Sequence, residues 1–202
     1  MKLYYTPGSS ATSVHMALRH LGLPFEIERV DLATKTTETG KNYLDINSFG
    51  YVPALELDSG KTLFETVAIM QYLFELSPDG KTLGAEDRAM YLEWFAHIGT
   101  ELHAAMSFAW SVRDKTECRN AILAKAARRL GPTEAYLSGD RKYVSFEDPK
   151  QVGLLDFYLF GVLFGLSYLE FDLSPFPNIQ AFMERMKQQP AVIETMKAEG
   201  LV

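Results

Sequence analysis

The sequence predicts an α/β unit followed by an all-helical unit. Three features carry that expectation. Short β-prone runs alternate with helical patterns over roughly the first eighty residues. Ser77-Pro78-Asp79-Gly80 then breaks every periodicity. Beyond it the apolar residues recur almost wholly at helical spacing. Domains over 1–77 and 86–202 follow, joined by a linker over 78–85. A chain of 202 residues is long enough for such units to bury cores.

Within the first domain, Lys2 to Tyr5 reads as a short strand ended by Pro7-Gly8. Ser9 and Ser10 follow, where either hydroxyl can cap a helix. Val14, Ala17, Leu18 and Leu21 make one buried helix face, and Gly22 stops it. Phe25 to Val30 alternates as a second strand. Thr36 to Ser48 is polar and irregular, with a short helix around Tyr43. Val52-Pro53 leads into a third strand, Ala54 to Leu57. The turn Asp58-Ser59-Gly60-Lys61 and a fourth strand, Thr62 to Phe64, complete an antiparallel hairpin. Glu65-Thr66 opens a helix with the face Val67, Met70, Leu73 and Phe74. The pattern is βαβ-ββα, with a mixed four-stranded sheet.

In the second domain, Met90, Trp94, Phe95, Ile98 and Leu102 form a long stripe. Ala121 to Leu137 is a helix that Gly131-Pro132 should kink or restart. Leu154 to Leu169 is apolar on nearly every side and predicts the central buried helix. Asn178 caps a run through Ile179, Phe182, Met183 and Met186, and Pro190 starts a last short helix.

Hydrophobic residues make up 47% and charged residues 23%, which excludes a disordered or low-complexity chain. A net charge of −6 argues against a broad nucleic-acid surface, though not against a local pocket for a small anion. Cys118 is the single cysteine, so no intrachain disulfide forms and a cysteine-based metal site is excluded. No metal and no membrane partner are expected. The N-terminus MKLYYTPGSS lacks an apolar leader core, and a cytoplasmic location is the expectation.

Three places at strand ends could carry chemistry. At Tyr5 to Ser13, free N–H groups and the positive end of a helix dipole favour a negative charge, such as a thiolate. A serine there can also serve only as a cap. At Val52-Pro53, a cis proline would turn the Val52 backbone outward to pair with an extended peptide ligand. A proline before a strand can equally be an edge device. At Glu65-Thr66, a helix N-terminus could hold a carboxylate on Thr66 and an ammonium group on Glu65. Plain capping is the alternative.

The order of these sites resembles the glutathione transferase superfamily across essentially the whole chain. MKLYYTPGSSATSVHMALRHLGLPFE, YVPALELDSGKTLFETVAIMQYL and EWFAHIGTELH are similar to its bacterial Beta class. The resemblance implies a thioredoxin-like first domain, a helical second domain forming the electrophile pocket, and glutathione as co-substrate. Val52 would pair by its backbone with the cysteinyl part, beside a cis Pro53. Tyr51 would contribute its backbone. Glu65 and Thr66 would hold the γ-glutamyl end, and Lys35 would approach the glycine carboxylate.

Beta members usually carry cysteine at position 10, where this chain has Ser10. Serine cannot form a mixed disulfide, but it can donate a hydrogen bond to the glutathione thiolate. Ser9 and Tyr5 are alternative donors. His103 matches a histidine that often faces the sulfur in that class, whereas His15 reads as packing or capping. Phe49 stands where several members use an aromatic to plug a partner subunit, so a homodimer is expected. Phe95, Phe108, Trp110, Tyr158 and Phe164 could line the pocket or form core. Gly153 replaces the usual Ser/Thr cap of the buried helix, while Asp156 keeps the buried acid. The activity implied is transfer of glutathione to small hydrophobic electrophiles. The alternatives are a glutathione-dependent isomerase or dehalogenase, or a non-catalytic glutathione-binding or interaction protein.

Overall fold

A computed structural model describes residues 1–145, 148 and 150–202. By its contacts the chain divides into two units, one of residues 1–81 with 190–202 and one of residues 82–189.

The first unit is built on a mixed sheet of β1 (Lys2–Tyr5), β2 (Glu26–Asp31), β3 (Thr36–Thr37), β4 (Ala54–Glu56) and β5 (Thr62–Phe64). Its order is β3-β2-β1-β4-β5. The sheet therefore has five strands where four were expected. The extra strand is a two-residue return of the chain, Val30 opposite Thr37, too short to register as a periodic pattern. β1 is central, parallel to β2 and antiparallel to β4, and Leu3 faces both Ile27 and Leu55. Helix α1 (Ala11–His20) is buried continuously from Ala11 to Leu18. It is covered more widely than one stripe because α9 (Pro190–Glu199) and α2 (Thr66–Leu76) both pack on it.

Two boundaries move. Residues 190–202, expected with the helical domain, group with the first unit because α9 lies on α1. The expected linker begins instead as helix α3 (Pro78–Thr82). There Ser77 accepts from the Gly80 N–H (3.1 Å) and donates to the Phe74 carbonyl (2.7 Å).

The second unit comprises α4 (Ala85–His97), a π-helical turn (Ile98–His103), α5 (Ala104–Ser111), α6 (Thr116–Tyr136), α7 (Leu154–Ser167) and α8 (Pro177–Met186). The expected stripe holds at Phe95, Ile98 and Leu102 and differs at its start, where Tyr91 takes the buried place. Tyr91, Phe95, Ile98 and Leu102 are buried, while Met90 is exposed.

α6 continues through Pro132 instead of restarting. Leu123, Ala126, Leu130 and Thr133 are buried before and after the proline, so packing holds the helix across the missing N–H. Asn178 is not a cap. Pro177 takes the first helical position, and the Glu134 carboxylate of α6 accepts the Asn178 and Ile179 N–H groups, both at 2.9 Å. Among the described residues no helix is long and apolar enough to cross a membrane.

α7 is the buried helix of this unit. Asp156 in its first turn accepts from the Gly153 N–H (2.8 Å), the Val144 N–H (2.7 Å) and the Ser145 hydroxyl (2.7 Å). A Cβ built on Gly153 would lie 2.3 Å from Ser145 Oγ. Ser145 thus brings a hydroxyl to the place a Ser/Thr cap at 153 would occupy. In the segment before this helix, Phe146, Glu147 and Pro149 lie outside the described residues.

Candidate functional site

Strand register gathers the three strand-end sites. Tyr4 pairs with Ala54, and Ala54 pairs with Phe64. The end of β1, the start of β4 and the end of β5 therefore meet at one edge of the sheet. Ser9-Ser10, Val52-Pro53 and Glu65-Thr66 project from that edge.

Ser10 flanks α1, and its hydroxyl donates to the Val52 carbonyl at 3.2 Å. Ser9 Oγ accepts from the Ala11 N–H at 3.3 Å, so Ser9 carries the cap-type bond. That bond leaves the hydroxyl proton of Ser9 available to a ligand. The Val52-Pro53 peptide is cis. The preceding Tyr51 carbonyl accepts from the Tyr43 hydroxyl (2.9 Å) and from Asn47 Nδ2 (2.7 Å), which fixes the loop from below. Burial pushes the Tyr43 phenol up to about 12, so it stays a donor.

Lys35 adopts φ +56° and sends Nζ to the Gly50 carbonyl at 2.6 Å. Gly50 has φ +69°, and a Cβ there would crowd Leu44 Cδ2 at 3.0 Å, so glycine is favoured. An ammonium group has three donors, so two remain on Lys35 for a ligand carboxylate. Thr66, the first residue of α2, is buried at the helix N-terminus. Glu65 before it holds the strained φ of +68°. Its carboxylate accepts from the Tyr51 hydroxyl.

Tyr5 is buried against the His15 ring, with centroids 6.1 Å apart, and burial raises its phenol above the usual value. It is therefore a protonated wall or donor, never a phenolate at neutral pH. His103 belongs to the other unit, at the end of the π-turn, where its Nδ1 lies 3.1 Å from the Tyr158 hydroxyl. Phe95 and Tyr158 are core residues, while Phe108 and Trp110 are exposed. Among the described residues no cluster of three or more His, Cys, Asp or Glu side chains could hold a metal ion.

A buried network behind the serine loop escaped the sequence reading. The Glu199 carboxylate of α9 accepts from the Gly8 N–H (3.1 Å), the Thr12 hydroxyl (2.8 Å) and His15 Nδ1 (2.9 Å). Arg19 Nε donates to His15 Nε2 at 3.1 Å, so Nε2 is the acceptor and Nδ1 carries the proton. The His15 and Glu199 side chains are both 0% exposed. A signal was present. Glu199 falls on the buried stripe of α9 with Ala191, Val192, Thr195 and Met196, where a charge requires partners.

Family models for the glutathione S-transferase N-terminal and C-terminal domains match residues 9–76 and 97–190. The chain belongs to the glutathione S-transferase family. Glutathione S-transferase GstA of Escherichia coli O157:H7 is 35% identical over 204 residues, covering all of both chains. A solved bacterial beta-class transferase of Sphingomonas chungbukensis superposes with a TM-score of 0.90 at 34% identity, covering both chains fully. A sphingomonad glutathione S-transferase complexed with glutathione gives 0.89 at 34% identity, again over both full chains.

Proposed function

We propose that the chain conjugates the thiolate of glutathione to small hydrophobic electrophiles, with the thiolate held by the Ser10 hydroxyl at the start of α1. The observation that carries this reading is the bond from the Ser10 hydroxyl to the Val52 carbonyl across the sheet edge. An extended cysteinyl N–H pairing with that carbonyl would take the place of Ser10. The serine proton would then be free to turn to the sulfur alongside. Thr66 would receive the γ-glutamyl carboxylate on the N-terminus of α2, Glu65 the ammonium group, and Lys35 the glycine carboxylate.

The sulfur attacks the electrophilic carbon, the C–S bond forms, and the leaving group departs with its electron pair. A charge-assisted hydrogen bond of ~1.5–3 kcal/mol lowers the bound thiol by about one to two pKa units. From a model thiol value of about 8.5, that leaves a value of about 6.5–7.5 and a substantial thiolate fraction near neutral pH. His103, its ring set by Tyr158, is a second polar group proposed to act toward the sulfur. A homodimer is proposed through Phe49, which is 68% exposed at a loop tip. Phe49→Glu should then sediment as a smaller species than the wild type, and an unchanged coefficient excludes that contact.

The test of the activity is an ultraviolet titration of thiolate absorbance against pH with glutathione bound. The wild type should show a midpoint well below that of free glutathione. Ser10→Ala should raise the midpoint by about one unit or more, with Ser9→Ala nearly unchanged. An unshifted Ser10→Ala midpoint transfers the role to Ser9 or Tyr5, and calorimetry showing no glutathione binding at all overturns the reading.

A further inference from the structure

We infer that Tyr51 is a positioning residue of the glutathione site, its hydroxyl holding the Glu65 carboxylate in the orientation that receives the γ-glutamyl ammonium group. The inference rests on the proposed placement of that group at Glu65. It adds a side-chain role at a position where the family resemblance supplied only a backbone one.

Tyr51 is fixed at three points. Its carbonyl is held by Tyr43 and Asn47 at 2.9 and 2.7 Å. Its ring stacks on Phe49, with centroids 5.7 Å apart and planes 23° from parallel. Phe49 in turn meets Phe64 edge-on at 6.4 Å, and Phe64 adjoins Glu65 in the chain. The third point is the hydroxyl itself, donated to Glu65 Oε1. The ring is still 38% exposed, so it stands beside the ligand edge and not in the core. Its phenol is raised above the usual value, chiefly by that hydrogen bond, and so remains a donor at neutral pH.

Glu65 needs such a tether. It is exposed, and a glutamate side chain is among those with most rotamer freedom to lose on binding. Its left-handed backbone fixes where the side chain starts but not where the carboxylate ends. With Oε1 bonded to Tyr51, Oε2 is left to accept from an ammonium donor, and the ordering is done before the ligand arrives. The geometry also explains why a phenol suits this position. A rigid ring reaches the carboxylate with only two side-chain torsions to fix, where a longer flexible donor would have to be ordered in turn.

The test uses calorimetry with two ligands, glutathione and deamino-glutathione, the same tripeptide lacking the γ-glutamyl amino group. Tyr51→Phe keeps the stack on Phe49 and removes only the hydroxyl. It should weaken glutathione about three- to tenfold and bind deamino-glutathione as the wild type does. Tyr51→Phe binding both ligands like the wild type overturns the inference. Equal losses for both ligands also overturn it, because they mark a general packing role. Glu65→Gln separates the underlying reading. It should lose glutathione affinity while leaving deamino-glutathione nearly unchanged. If instead Glu65→Gln binds glutathione normally, the ammonium group lies elsewhere, and the role of Tyr51 falls with that placement. If Glu65→Gln behaves as expected but Tyr51→Phe does not, only the role of Tyr51 falls.

Discussion

Removing the Glu199 carboxylate should destabilise the protein more than any surface change. Glu199→Ala leaves the Gly8 N–H, the Thr12 hydroxyl and the His15 Nδ1–H facing a space with no acceptor. Each buried group so stranded costs about 1–3 kcal/mol, so the three together cost about 3 kcal/mol or more. Glu199→Gln keeps the volume but cannot keep the bonds. Its NH2 must face either His15 or both the Gly8 N–H and the Thr12 hydroxyl, which share one carboxylate oxygen. If it faces His15, Nδ1 has to become the acceptor, and the proton then moves to Nε2. There it meets the Arg19 Nε–H, donor against donor. A loss of about 1–3 kcal/mol is expected for Gln. Urea unfolding of the three proteins measures both values. At about 2–4 °C per kcal/mol for a chain of this size, Glu199→Ala should melt some 10 °C lower. A Glu199→Gln variant within about 0.5 kcal/mol of the wild type would refute the assigned donor pattern, since that is the scale of an ordinary surface change.

Two further predictions concern α7. Gly153→Ser should destabilise by about 1–3 kcal/mol although serine is the better cap, because its Cβ would sit 2.3 Å from Ser145 Oγ. Adding Ser145→Gly should recover much of the loss, and a single variant as stable as the wild type would show that Ser145 does not fill that place. For pH, burial pushes the Asp156 carboxyl up to about 6 against the pull of its hydrogen-bond donors. The folded chain therefore holds a proton there that the unfolded chain has released. The stability contributed is full below about pH 4 and is lost as pH rises through about 6. Relative to Asp156→Asn, the wild type should lose about 2 kcal/mol of unfolding free energy between pH 4 and 7. A pH-independent difference would contradict the raised value.

Much of this molecule is written locally. The βαβ-ββα order, the Val52-Pro53 entry to β4, the Glu65-Thr66 start of α2 and Pro190 opening α9 each depend on a few neighbouring residues. Turn chemistry, capping and short periodicity suffice for such features, so the sequence alone determined the fold class and where the three strand-end candidates fall. Tertiary structure decided what depends on distant partners. Glu199 meets Gly8 from 191 positions away, and that meeting assigns the last helix to the first unit. Glu134 caps a helix 44 residues later, and Ser145 stands in for a side chain missing at Gly153. The second strand's return pairing at Thr36–Thr37 and the passage of α6 through Pro132 have the same origin. In each case the local preference is worth about a kilocalorie or a few. Burial and the satisfaction of buried polar groups weigh as much or more. Those terms exist only once the chain has brought the partners together.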